Sequence, residues 1–249
     1  FSTSMTIGSN FVLSSSASLF EVGTPSNSGN VIVTGATQIA GDVVLRGSGV
    51  TVSGAITTTG AGKKISITAD TLTVSANISA TNSSRLEIAQ RTAGRGIVLG
   101  AASASALAVP TANASFLRAT TLQFGNSATG NVTVAASTTF ASANVTNLKI
   151  VTPGSVTAVT GAILTAANLA IDAGGGVNLP GSNSVAGNVA ISASSMVTYS
   201  SAVSYSPAVV DGTNAVFGVG RAISLTNSPT LEQANESWRL PSTRHHRFL

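Results

Sequence analysis

Two carboxylates, Glu21 and Asp42, stack if the chain repeats at about 20–21 residues, and a stacked carboxylate pair can capture calcium or serve as general acid and base. The same column continues one step later at Lys63, and Asp70 with Arg91 forms a second column of opposite charge. Charges alternating in this way are those of loop residues sorted by register. No His, Tyr or third acid joins them at the same spacing, as a catalytic set requires, so no catalytic residue is expected.

Other chemistry-bearing patterns fail on their own terms. The stretch GAGKK at 60–64 would end a phosphate loop, but the first Gly of that motif falls on Thr57 and its Ser/Thr position on Lys64. AGGG at 173–176 holds a fragment of the calcium-binding nonapeptide and is not iterated. His245 and His246 lack further ligands at suitable spacing, and cysteine is absent, which removes thiolate metal sites and a disulfide framework. Neither a metal nor a cofactor is expected. Sequons at Asn77, Asn82, Asn113, Asn131, Asn144 and Asn235 arise readily in a chain so rich in Asn, Ser and Thr, and leave glycosylation open.

The elements that must position any such residue are short strands. Alternating runs recur as NVIV (30–33), ISIT (65–68), LTV (72–74), LEI (86–88), IVL (97–99), NVTV (131–134) and LKI (148–150), separated by Gly, Ser, Asn and Pro clusters. No helix-length apolar period occurs before residue 228. Only 8% of residues are charged, too few for helices with Lys/Glu outer faces, and Ser, Thr and Asn must supply the polar surface.

These strands share a register. Asn147-Leu148-Lys149-Ile150, Asn168-Leu169-Ala170-Ile171 and Asn188-Val189-Ala190-Ile191 follow one another at a nearly constant step. The same step links Ile65, Leu86 and Leu107, and two such steps carry Leu107 to Leu148. A unit of this length is too short for a propeller blade or a helix pair, but fits one rung of a β-solenoid. The expected fold is therefore all-β, a parallel β-helix of about 20–21 residues per coil. Leu148, Leu169 and Val189, then Ile150, Ile171 and Ile191, and Ile65, Leu86 and Leu107, are its expected inward columns. Asn147, Asn168 and Asn188 are its expected turn ladder, because an amide both donates and accepts and tolerates left-handed backbone. About eleven rungs, ~4.8 Å apart, would span residues 1–228 as a rod on the order of 50 Å long.

The formal net charge of +4 is spread thinly, Lys63-Lys64 is the only adjacent basic pair, and 4% of residues are aromatic, so no nucleic-acid partner is expected. No apolar run is long enough for a transmembrane helix. The chain begins at Phe1 without an initiator Met or signal peptide, and it is expected to be a segment of a larger protein, with further rungs on at least its N-terminal side. Residues 1–228 are read as solenoid. Residues 229–249 carry both His, the only Trp and five charged side chains, and are read as a non-solenoid tail, either a cap or an artefactual end.

TGAILTAANLAIDAGGGVNLPGSNSVAGNVAISA (160–193), with AGRGIVLG (93–100) and TTLQFGNSATGNVTVAA (120–136), resembles the filamentous haemagglutinin-like exoproteins of Gram-negative bacteria. The likeness of texture covers about residues 20–228. It implies a right-handed coil, export by a two-partner or autotransporter route with an outer-membrane export partner, and a place outside the cell on the bacterial surface. It also implies a role in adhesion, with host or neighbouring-cell receptors or glycans as partners, and brings no catalytic residue. Two rivals remain. One is a glycan- or ice-binding solenoid, of which ice binding needs iterated Thr-x-Thr, seen only at 57–59 and 71–73; the other, a polysaccharide-degrading enzyme, needs acids converging on one face.

Overall fold

The computed structural model describes residues 4–13, 17–203, 206–207 and 223–226. The paired strands run parallel and stack as a β-solenoid of about nine coils, and the one helix among the described residues is the short turn Thr111–Ala114. Parallel stacking follows from the sequence physics. Each coil is a few strands too short to bury an apolar face alone, and the next coil covers it.

A coil carries three strands in succession, one on each of three faces. On the first face Met5–Ile7, Val31–Val33, Gly49–Val52 and Thr71–Val74 form one sheet. The second face begins with Phe11–Leu13, Thr37–Ile39 and Ile56–Thr58, continuing into residues 78–80 and 117–119. The third face starts with Leu19–Val22, Asp42–Arg46 and Lys64–Thr68 and runs unbroken to Asn168–Ala173 and Asn188–Ala193.

Alternation along the third-face strands sends every second side chain inward. Lys64–Thr68 reads half-buried, buried, half-buried, buried, half-buried. Stacking turns this alternation into two continuous columns. One is Phe20, Val43, Ile65, Leu86, Leu122, Leu148, Leu169 and Val189; the other is Val22, Leu45, Ile67, Ile88, Phe124, Ile150, Ile171 and Ile191. From Val43 to Val189 the first column is at most 2% exposed. Burying one such side chain contributes on the order of 1.5–3 kcal/mol, so the columns are the main source of stability.

Leu107 is the correction to the expected columns. The residue above Leu86 is Leu122, and Leu107 pairs instead with Ile97 on the first face. The reason is an insertion. After the third-face strand ends at Ala89, the chain forms Ile97–Gly100, doubles back through 101–106, and lays Leu107–Pro110 parallel to it on the side away from Val132–Val134. A second first-face strand is thus spent in one coil. The interval along the first column shortens slightly from Phe20 to Leu86, lengthens sharply from Leu86 to Leu122 and less so to Leu148, and is shortest from there to Val189. Those long intervals are why fewer coils form than a uniform step gave.

Corners fix where each face ends. Gly23 and Gly125 both directly follow the second inward column and both have left-handed backbone, at φ +85° and +82°. A Cβ at Gly23 would overlap the Arg46 carbonyl oxygen, and one at Gly125 that of Val151. Only Gly permits the next coil to pass so close. The expected tail, 229–249, lies outside the described residues.

Candidate functional surface

Many corner amides still reach a backbone carbonyl of the adjacent coil, as Gly187 does at Ala167, but at several corners the backbone ladder lapses and an amide must find an acceptor elsewhere. Side chains of the neighbouring coil supply it repeatedly. The Asn10 Oδ1 accepts from the Ala36 amide at 2.6 Å, and Asp42 Oδ1 from Lys64 at 2.9 Å. Further on, Ser84 Oγ accepts from Lys63 at 3.1 Å, Asn131 Oδ1 from Ser155 at 2.9 Å, and Asn168 Oδ1 from Asn188 at 2.8 Å.

This assigns Asp42 a structural task and corrects the expected charge column. Glu21 lies opposite Val44, and Asp42 lies opposite Leu19, because the coil from Phe20 to Val43 is longer than the interval that separates the two acids. Glu21 pairs with Arg46 instead. The two carboxylates are offset along their strands, so they form no stacked pair. Asp70 does lie one coil from Arg91, but as a cap. Its carboxylate accepts from the Arg91 and Thr92 amides at 3.1 and 2.8 Å and from the Thr92 hydroxyl at 2.6 Å. Partial burial pushes the Asp70 pKa up, but the Thr92 hydroxyl and amide, the Arg95 guanidinium and the Arg91 amide outweigh it and hold the carboxyl below its ordinary value.

The three asparagines share one outward column. Asn147 and Asn168 are in register, and Asn168 Nδ2 donates to Asn147 Oδ1 at 3.2 Å and to the Thr146 carbonyl at 3.0 Å. Asn188 joins through its backbone amide. The column runs on below them: Asn147 lies on Thr121, Thr121 on Arg85, and Arg85 on Lys64. Glu87 bridges the two cations, 3.4 Å from Lys64 Nζ and 3.1 Å from Arg85 Nε. The inward residues Leu148, Leu169 and Val189, and Ile150, Ile171 and Ile191, lie in adjacent register beside the ladder. Ile65 and Leu86 do likewise further down the rod.

The two isolated Thr-x-Thr matches stay isolated: Thr57 lies between Gln38 and Ser79, Thr71 lies against Gly49, and Thr73 stacks on Thr51 alone. A longer polar column escaped the sequence reading. On the first face Thr133, Thr157, Asn178 and Thr198 stack outward on four successive coils. Each follows an inward Val, at 132, 156, 177 and 197, so the signal was a recurring Val-Thr/Asn pair. Its step shortens from coil to coil, which hid it from a search at one period.

The surface also carries two open grooves of about 470 Å³. One is lined by Asn10, Val12, Gln38 and Thr57, the other by Phe140, Thr165, Asn168 and Ser184. Among the described residues no three His, Cys, Asp or Glu side chains gather as a metal cage, and no helix is long and apolar enough to cross a membrane. The chain matches no protein-family model, no curated protein and no solved structure.

Proposed function

We propose that this chain is a structural and adhesive stalk segment of a large exported bacterial surface protein of the filamentous haemagglutinin-like kind, non-catalytic and lying outside the cell. The observation that carries the reading is the unbroken pair of inward columns on the third face, which gives a stiff spacer with interchangeable coils. A charge-poor, cysteine-free repeat chain suits passage across an envelope unfolded through an outer-membrane partner, followed by coil-on-coil folding outside. Its hydroxyl and amide surface then meets host or neighbouring-cell receptors or glycans.

The test is excision of the coding region for 17–203 in the producing bacterium. Surface export is expected to persist and cell attachment to be lost. Replacement by an unrelated solenoid of equal length restores attachment if the segment is a spacer and fails to if its own faces bind. Attachment unchanged by excision would refute the reading.

The outward column Thr133, Thr157, Asn178 and Thr198 favours a second reading, a glycan- or ice-binding face. Thermal hysteresis or saturable glycan binding by the chain, lost in Thr157→Val with the fold intact, would support it; neither effect at high protein concentration would remove it. A polysaccharide-degrading reading draws less support, since Glu21 faces Arg46 while Asp42 and Asp70 cap backbone amides. Sugar cleavage abolished by Asp42→Ala would revive it.

A further inference from the structure

From the unequal pairing of the three faces at one level of the rod, we infer that a seam lies between Thr71–Val74 and Leu107–Pro110, where the first face opens ahead of the rest of the solenoid while the third face stays paired. The first-face sheet that begins at Met5–Ile7 ends at Thr71–Val74, and the next begins at Leu107–Pro110. The two strands are spatial neighbours but exchange no ladder. At the same level the other faces are continuous: Ile78 pairs with Leu117 on the second, and Leu86 with Leu122 and Ile88 with Phe124 on the third. One level earlier, Thr71–Val74 pairs with Gly49–Val52 along its whole length.

Side chains hold the seam in place of a backbone ladder. Asn113 Nδ2, from the turn Thr111–Ala114, donates to the Leu72 carbonyl at 3.2 Å on the open edge of that strand. At the other end Asp70 holds the Arg91 and Thr92 amides, and Arg95 Nη2 donates to the Ala104 and Ala106 carbonyls at 2.9 and 3.3 Å, tying down the return loop 101–106. Between these stitches Leu72, Val74, Leu107 and Val109 pack in the common core. Apolar packing has no directional ladder to break, so the inserted strand can part from Thr71–Val74 without unpairing Leu86 from Leu122. Local openings of this kind set amide exchange below the global limit. The seam follows from the inserted strand itself, which brings a second first-face rung where the third face supplies only one.

Hydrogen exchange of the intact chain, read by mass spectrometry, tests this independently of what the protein binds. Peptides covering 71–74 and 97–110 are expected to exchange at least about tenfold faster than those covering 43–46 and 86–89. Asn113→Ala and Asp70→Ala, which remove the stitches outright, are expected to raise the seam rates a further several-fold and leave 43–46 and 168–173 unchanged. Equal protection of seam and third-face peptides would overturn the inference. So would variants that accelerate all peptides alike, since that is the signature of global unfolding.

Discussion

Residues 17–118 carry eleven charged side chains and residues 119–203 carry two, yet both regions build the same coil. The contrast is sharpest in the outward column that precedes the first inward column on the third face. It holds Lys64 and Arg85 in the first region and Asn147 and Asn168 in the second. Asp42 and Asn168 perform one task there, each offering an oxygen to an amide of the following coil, at 2.9 and 2.8 Å. What the corner requires is an acceptor; the charge is incidental. The two solutions differ in what they allow next. An amide can stack on its own copy because it donates and accepts, so the Asn column can repeat indefinitely. A charge stacked on its own copy repels, so the first region must alternate signs or recruit a bridge such as Glu87 between Lys64 and Arg85.

If the two regions share a core and differ only at corners, equal cuts into that core must hurt equally. Leu86→Ala and Leu169→Ala each remove a side chain at most 2% exposed from the same column. Each is expected to cost about 2–5 kcal/mol. Urea unfolding followed by exchange in peptides from each region would measure both, since a stacked rod need not unfold as one unit. A loss confined to one region's variant would break the equivalence.

Corner sterics come next in size. At Gly187 an added Cβ would overlap Asn168 Oδ1 and lie 2.6 Å from the Ala167 carbonyl oxygen, so Gly187→Ala must push the coils apart or displace the ladder. The expected cost is about 1–3 kcal/mol, as for other overpacked sites, and it is read from the urea midpoint. Removing the ladder itself costs less. Asn168→Ala strips the acceptor from the Asn188 amide and the donor from Asn147, for about 1–2 kcal/mol at a half-exposed site. Asp42→Asn keeps an acceptor oxygen and is expected to change stability by less than about 0.5 kcal/mol. A large loss in Asp42→Asn would mean that the charge, and not the oxygen, is what the first region needs.

How far the sequence made this visible depended on the constancy of the step. Leu148, Leu169 and Val189 were legible because the two coils that separate them are nearly the same length, and the Asn before each marked the phase. Leu107 misled because it stands at the right interval from Leu86, while the insertion moved it to another face without altering its inward, fully buried character. Glu21 and Asp42 misled in the opposite sense: their interval matched the repeat of the second region, but the coils from Phe20 to Val43 and from Val43 to Ile65 are longer than that repeat. Aliphatic periodicity reports that a residue points inward, and cannot report how much chain a corner consumes. The seam was invisible for the same reason, since the inserted strand reads as one more rung.

Acid should separate the regions again, more weakly. Asp70, in the first region, has its pKa held below the ordinary value of 3.8, whereas the second-region strand Val145–Thr152 contains no acid at all. A depressed folded-state pKa adds stability that is fully present above the unfolded value and is lost as pH falls through the folded one. Protection of peptides near 70–74 and 91–95 is therefore expected to decline below about pH 4, ahead of 145–152. Asp70→Asn should abolish the difference by removing the titrating group. An acid response that persists in that variant would place its origin elsewhere.

Salt should produce the smallest separation, and its size tests whether the first region's charges matter beyond register. Lys64, Arg85 and Glu87 have side chains 39%, 49% and 23% exposed, so solvent screens their pairing. Such pairs contribute at most about 0.2–1 kcal/mol and weaken further as the screening length falls toward ~3 Å at about 1 M salt. Exchange in 64–68 and 85–89 is thus expected to rise by no more than a few-fold between low and high salt, with no change in 147–150 and 168–173, where Lys149 and Asp172 are the only charges. If high salt instead loosened the first region as a whole, its charges would be carrying stability that the amide column supplies in the second, and the two corner chemistries would cease to be equivalent.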